Sequence, residues 1–157
     1  MRDMKVRAST LPGFAQSVSH LKPYVHSDCG GVADKQTGLV RVPEYVRWSQ
    51  HCALGAIHRY HGGPGHQPWI YDKETESIVR SFLNLRMNLM PMMLAAGEQA
   101  TLAATPIARR LDLVFPMADR SNTTRTDQYL LCATVVCDIR RGSSSASYGW
   151  TCQLLAG

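Results

Sequence analysis

Arg47-Trp48-Ser49-Gln50-His51-Cys52-Ala53-Leu54-Gly55-Ala56-Ile57-His58-Arg59-Tyr60-His61, followed by Gly62-Gly63-Pro64-Gly65-His66-Gln67-Pro68-Trp69, is the stretch around which the chain is organised. An apolar, helix-like segment gives way to small residues. A basic-aromatic tip follows, then a loop of Gly and Pro. Four of the six histidines lie here. A rigid element that carries Arg, Tyr and His to the mouth of a loop is a common way to present a binding site.

Upstream, Pro43 and Glu44 suit the first turn of a helix. Tyr45, Trp48, Cys52 and Ala56 recur at helical spacing. Gly55 lets the chain leave that helix. Ala56-Ile57-His58 then reads as a short strand with Arg59 and His61 at its C-terminal end. Tyr24-Val25-His26 reads as a buried strand ending at Ser27-Asp28-Cys29-Gly30-Gly31. A carboxylate before two glycines marks a sharp turn that a ligand can approach, or simply an Asp that caps the turn.

Downstream, Asp72 can cap a long helix whose first turn holds Glu74 and Glu76. Ile78, Phe82, Leu85, Leu89 and Met93 form its expected apolar stripe. Pro91 inside that pattern removes a donor and predicts a kink. Met87, Met90, Met92 and Met93 read as core fillers, and the helix is expected to end near Gly97 or Ala104. Ile107, Leu111, Leu113, Val114 and Phe115 predict a strand, and Tyr129–Val136 another. Arg140–Ser147 reads as a loop or frayed tail.

Composition narrows the classes. The chain has 157 residues, 45% hydrophobic and 18% charged, which is globular and not disordered. No apolar run is long enough to span a bilayer, and the N-terminus has no signal-peptide core. The net charge of +5 permits a nucleic-acid partner, but the basic residues are scattered and no nucleic-acid motif accompanies them, so none is expected. Five cysteines at irregular spacing, without Cys-x-x-Cys, argue against a disulfide scaffold. His58, His61, His66 and Cys52 are metal-ligand types, but their spacing fits no zinc pattern, so no metal or cofactor is expected. Pro64 argues against a phosphate cradle at Gly62–Gly65, and no Lys-Ser/Thr follows.

Seven segments in order resemble the family 31 glycoside hydrolases, the α-glucosidase and α-xylosidase group. They are Tyr24–Gly31, Tyr45–Gln50, Arg59-Tyr60-His61, Pro68-Trp69, Leu85–Pro91, Thr105–Leu111 and Asp127–Leu131. The resemblance implies an α/β fold: the C-terminal portion of a (β/α)8 TIM barrel over residues 1–104, then the start of a β-sandwich domain over 105–157. Active sites of such barrels lie at the C-terminal strand ends. It implies retaining hydrolysis of α-glycosidic bonds by two carboxylates. His61 matches a substrate-binding histidine, Asp28 the carboxylate lining the same pocket, and Arg59 the arginine beside that histidine. Trp69 is an aromatic wall or a core residue.

Departures from the family pattern carry equal weight. No residue matches the nucleophile, and the acid/base would fall at or before Met1. Asp3 lacks the family context, so no catalytic residue is assigned. Val32 replaces a Phe, and Met92-Met93 an aromatic pair. A complete barrel of this type needs about 250 residues, so the chain looks like a fragment, inactive alone. Each uncovered apolar side chain forfeits roughly 1.5–3 kcal/mol, which predicts poor stability in isolation. The alternative is a non-catalytic carbohydrate- or partner-binding remnant.

Overall fold

The structure, a computed structural model, describes residues 22–30, 40–61, 66–117, 128–132, 135–139 and 150–154. Asp3, Gly31, Val32, the Thr10–Phe14 turn, the Gly62–Gly65 loop and Arg140–Ser147 lie outside the described residues. The chain forms two compact units: His26–Pro91, and Met1–Val25 with Met92–Gly157.

In the first unit, α1 (Val42–Ala53) begins with Pro43 in its first two positions. The pyrrolidine ring presets the backbone there and its missing donor costs nothing. Tyr45, Val46, Ser49, Gln50, Cys52 and Ala53 are buried, so the helix is covered on more than one side. It ends where expected: the amides of Leu54 and Gly55 close onto His51 O and Cys52 O. Trp48 is half-buried and donates its indole N–H to Ser27 O at 2.9 Å.

The two short strands expected at Tyr24–His26 and Ala56–His58 are not strands. Tyr24 is exposed, and Gly55–Ile57 bend. Instead a single parallel bridge joins Cys29 to Tyr60. Cys29 N donates to Arg59 O at 3.2 Å, and His61 N donates to Cys29 O at 3.1 Å. The pairing therefore lies at the ends of the predicted strands, not along them. Cys29 is also disulfide-bonded to Cys52 on α1, with Cα atoms 5.9 Å apart. The cysteine spacing does not point to this bond; Cys132 and Cys137 remain thiols. A single pair at irregular spacing leaves no sequence signature.

α2 (Lys73–Ala103) starts as predicted. Asp72 accepts from Thr75 N at 2.8 Å and from the Thr75 hydroxyl at 3.0 Å, satisfying an otherwise orphaned helix donor. That bonding holds the Asp72 carboxyl below its usual range. Lys73 and Arg80 do the same for Glu76. The helix continues through Pro91, and the division between the two units falls at that proline. It ends at Ala103, before Ala104 at φ 52°, a left-handed stop.

The buried face of α2 differs from the predicted stripe. Thr75, Val79, Met93, Ala96 and Ala100 are buried, and Leu85 is exposed. Met87 is 66% exposed, so it is no core filler. Arg86, half-buried and seven residues after the buried Val79, is a residue that apolar periodicity has no way to register. Gly97 is required by close approach: a Cβ there would sit 3.0 Å from the Tyr24 hydroxyl.

The second unit holds an antiparallel sheet in the order β1 (Ala108–Arg109), β2 (Gln128–Leu131), β3 (Val135–Ile139), β4 (Trp150–Leu154). Leu130 and Leu131, on opposite faces of β2, are both fully buried, so the sheet is covered on both sides there. The run from Ile107 to Phe115 is not one strand. After β1 it forms a helical turn, α3 (Leu111–Val114), packed on β2. Only Leu111 of that turn is buried, while Leu113 and Phe115 stay exposed. Arg110 and Asp112 pair at 2.6 Å across its start. The run from Tyr129 to Val136 is likewise two strands, broken at Cys132 with φ 53°. β4 is a strand that the tail's composition concealed.

Candidate functional site at the Cys29–Tyr60 bridge

Extended residues alternate sides, and the bridge uses that alternation. Cys29 reaches back to Cys52, and the Tyr60 hydroxyl donates to Ser49 Oγ at 3.0 Å; both partners are on α1. Tyr45 of α1 stacks on Tyr60 at 5.5 Å and on Tyr71 at 4.1 Å between ring centroids. Its hydroxyl donates to His66 O at 2.7 Å. Burial raises the Tyr45 phenol well above the ordinary range, so it remains a neutral donor, and burial raises the Tyr71 phenol as well. Gly30, at φ 80°, packs under His66, Tyr60 and Tyr45. The His66 ring is buried and its Nδ1 bonds His61 O.

With Cys29 and Tyr60 turned to α1, their neighbours Asp28, Arg59 and His61 meet one another. Arg59 Nη2 donates to Asp28 Oδ1 at 3.0 Å and lies 2.7 Å from His61 Nδ1. His61 Nδ1 is 3.4 Å from the same Asp28 Oδ1. All three residues predicted as substrate-binding are thus brought together. Sequence reading missed the fourth member, His26. Its Nε2 lies 3.2 Å from Asp28 Oδ1 and 3.4 Å from Arg59 Nε. The signal available for it was its place two residues before Asp28.

Three neighbours converge on one Asp28 oxygen. Its other oxygen, Oδ2, has no partner among the described residues, nor has His61 Nε2. The side chains of Asp28 and Arg59 are 52% and 58% exposed, so the cluster is open to a ligand. Asp28 holds φ 47°, a conformation Asp tolerates better than most residues but one that costs energy.

Behind the cluster, Arg86 inserts from α2. Its Nη1 donates to Ala53 O at 3.0 Å and Gly55 O at 2.6 Å, and its Nη2 to Ala56 O at 3.2 Å. These carbonyls sit at and just beyond the C-terminal end of α1, the negative end of its dipole. Arg86 therefore pins the segment that leads into His58 and Arg59. His58 stands edge-on to Tyr60, and burial, with the charge of Arg86 and then His26 nearby, lowers it to about 4. Burial also lowers His51 to about 4.

Both imidazoles are neutral in the fold and titrate near 6.5 when unfolded. The unfolded chain then binds more protons between those values, so stability present above pH 6.5 is lost as pH falls towards 4. Denaturant midpoints measured across that window should fall, and His58→Gln should recover part of the loss. An unchanged acid limb in His58→Gln would remove His58 from this account.

Trp69 is 70% exposed, which excludes the core role. Cys52 is committed to its disulfide and has no thiolate to give a metal. Among the described residues no cluster of three His, Cys, Asp or Glu side chains has metal-binding geometry, and no helix is long and apolar enough to cross a membrane.

The architecture is that of a barrel-derived segment. The chain aligns with the cycloalternan-forming enzyme from Listeria monocytogenes (TM-score 0.73, 17% identity, 82% of this chain and 13% of that one). It also aligns with a family 31 α-xylosidase from a soil metagenome (TM-score 0.70, 20% identity, 82% and 22%). Residues 4–96 match the glycosyl hydrolases family 31 TIM-barrel domain, and the chain belongs to that family. In sequence it is 30% identical to an α-xylosidase from Emericella nidulans over 73 residues, 46% of this chain. It is 31% identical to a 1,6-α-glucosyltransferase from Sporosarcina globispora over 119 residues, 69% of this chain. The chain spans 9% of the length of each of these two relatives.

Proposed function

We propose that this chain supplies one wall of the sugar pocket of a retaining α-glycosidase, with Asp28, Arg59 and His61 binding hydroxyls of an α-linked oligosaccharide or α-glycoside. The observation that carries the reading is the convergence of Arg59, His61 and His26 on a single Asp28 oxygen, beside a parallel bridge in a family 31 barrel segment. That arrangement leaves an acceptor at Asp28 Oδ2 and a nitrogen at His61 Nε2 without partners among the described residues, the polar pair a sugar hydroxyl needs. The relatives' complexes with a pentasaccharide and with xylose support the same ligand class.

The chemistry itself needs a nucleophile and an acid/base carboxylate, and neither role is assigned to a residue of this chain. Asp28 is a binding carboxylate. Residues up to about 104 belong to the barrel's last strands and helices, and those after about 105 begin the next β domain. The all-antiparallel sheet beginning at Ala108, against the parallel bridge at Cys29, supports that division.

Titration of the full chain with glucose, xylose and isomaltose, followed by NMR, tests the reading. Saturable shifts at the His61 imidazole and Arg59 guanidinium are expected, and His61→Ala should abolish them. Nitrophenyl α-glucoside and α-xyloside should remain uncleaved by the chain. Flat titrations with all three sugars would overturn the sugar-wall role, and turnover would overturn the absence of the catalytic pair.

A further inference from the structure

We propose that Arg59 is a positioning residue that fixes the tautomer of His61, so that the ring offers the site a donor and never an acceptor. The guanidinium carries only N–H donors and does not deprotonate in proteins. Its Nη2 lies 2.7 Å from His61 Nδ1. At that distance Nδ1 must supply a lone pair, because a proton on it would face the proton of Nη2. The ring proton is therefore on Nε2, the nitrogen with no partner among the described residues. A bond made by one imidazole nitrogen dictates the state of the other.

The neighbouring carboxylate makes this outcome a contest. Asp28 Oδ1 is 3.4 Å from the same His61 Nδ1 and would by itself draw a proton onto it. Arg59 prevents that by bonding both at once, donating to Asp28 Oδ1 at 3.0 Å and to His61 Nδ1. Removing the guanidinium leaves the carboxylate as the only partner of Nδ1 among the described residues. The proton then moves to Nδ1, and Nε2 becomes a lone pair. The polarity that His61 presents at Nε2 is thereby reversed.

With Arg59 in place, the cluster presents one N–H at His61 Nε2 and one acceptor at Asp28 Oδ2. On the sugar-wall reading, which this inference deepens, His61 bonds a hydroxyl oxygen and Asp28 takes a hydroxyl hydrogen. A neutral imidazole can donate from one nitrogen and accept at the other, but here only the donor faces the site.

The test needs no ligand. Imidazole nitrogen shifts of the ¹⁵N-labelled full chain are recorded near pH 8, with the His61 signals assigned by their loss in His61→Asn. The expected pattern is an unprotonated-type Nδ1 and a protonated-type Nε2. Arg59→Met should exchange the two types or average them, and Arg59→Lys, which restores a donor-only cation, should keep the original pattern. A protonated Nδ1 in the unsubstituted chain overturns the proposal whether or not any variant folds. So does an unchanged pattern in a folded Arg59→Met. The expected shifts together with flat sugar titrations would leave this inference standing and remove the sugar-wall function; sugar binding with a protonated Nδ1 would do the reverse.

Discussion

Arg86→Met should lower the stability of the chain by about 3 kcal/mol, since it strips a charged donor from buried carbonyls and leaves them unsatisfied. Met is of similar length and suits a helix, so the loss isolates the hydrogen bonds from packing and propensity. The three carbonyls, Ala53, Gly55 and Ala56, have only the fork of one guanidinium in common. Burial lowers the Arg86 guanidinium from its usual value, yet at neutral pH it stays charged. Arg86→Lys should recover a minority of the loss, because a point charge cannot span three acceptors. A second readout is local. The Arg86 charge helps hold His58 at about 4, so Arg86→Met should move the His58 titration upwards. Denaturant titration with an unchanged slope measures the first effect, and imidazole NMR the second. A midpoint equal to that of the unsubstituted chain would mean the carbonyls find other partners.

Reducing the Cys29–Cys52 disulfide should cost about as much. The two cysteines are 23 residues apart, and closing a loop of that size is worth roughly 3 kcal/mol through the unfolded state. The effect also reaches the site, because the Cys29 backbone is hydrogen-bonded to Arg59 and His61, and Asp28 precedes it. Reduction should therefore both lower the denaturation midpoint and weaken sugar-induced shifts at His61. The paired substitution Cys29→Ala with Cys52→Ala should match the reduced chain. Alkylation of the unreduced, folded protein should spare Cys29 and Cys52. Labelling of either without reductant would refute the bond.

What the sequence disclosed follows from which signals are local. Asp28, Arg59 and His61 could be placed together because the resemblance to family 31 puts their counterparts in one pocket; the strands read around them from local signals are not there. The start of α2 was legible from Asp72 because a helix cap announces itself within a few positions. Arg86 was not, because a stripe read by hydrophobicity omits a cation whose partners lie 30 to 33 residues back. Cys29–Cys52 was not, since cysteine spacing carries no pairing rule. The strand breaks at Cys132 and after Arg109 were missed because continuous apolar runs do not mark where a strand turns or gives way to helix. In β4, Trp150-Thr151-Cys152-Gln153-Leu154 has strand propensity, but its Gly-Ser-rich surroundings hid it.

Asp28 also sits where two selection pressures part. Its left-handed backbone would relax with glycine, and asparagine would accept it at little cost. A library randomised at this codon and sorted for heat resistance should drift towards those two residues. The same library sorted on an immobilised sugar should return to aspartate. One backbone angle thus makes position 28 a place where a breeder of sturdier variants would remove the carboxylate of the proposed sugar wall.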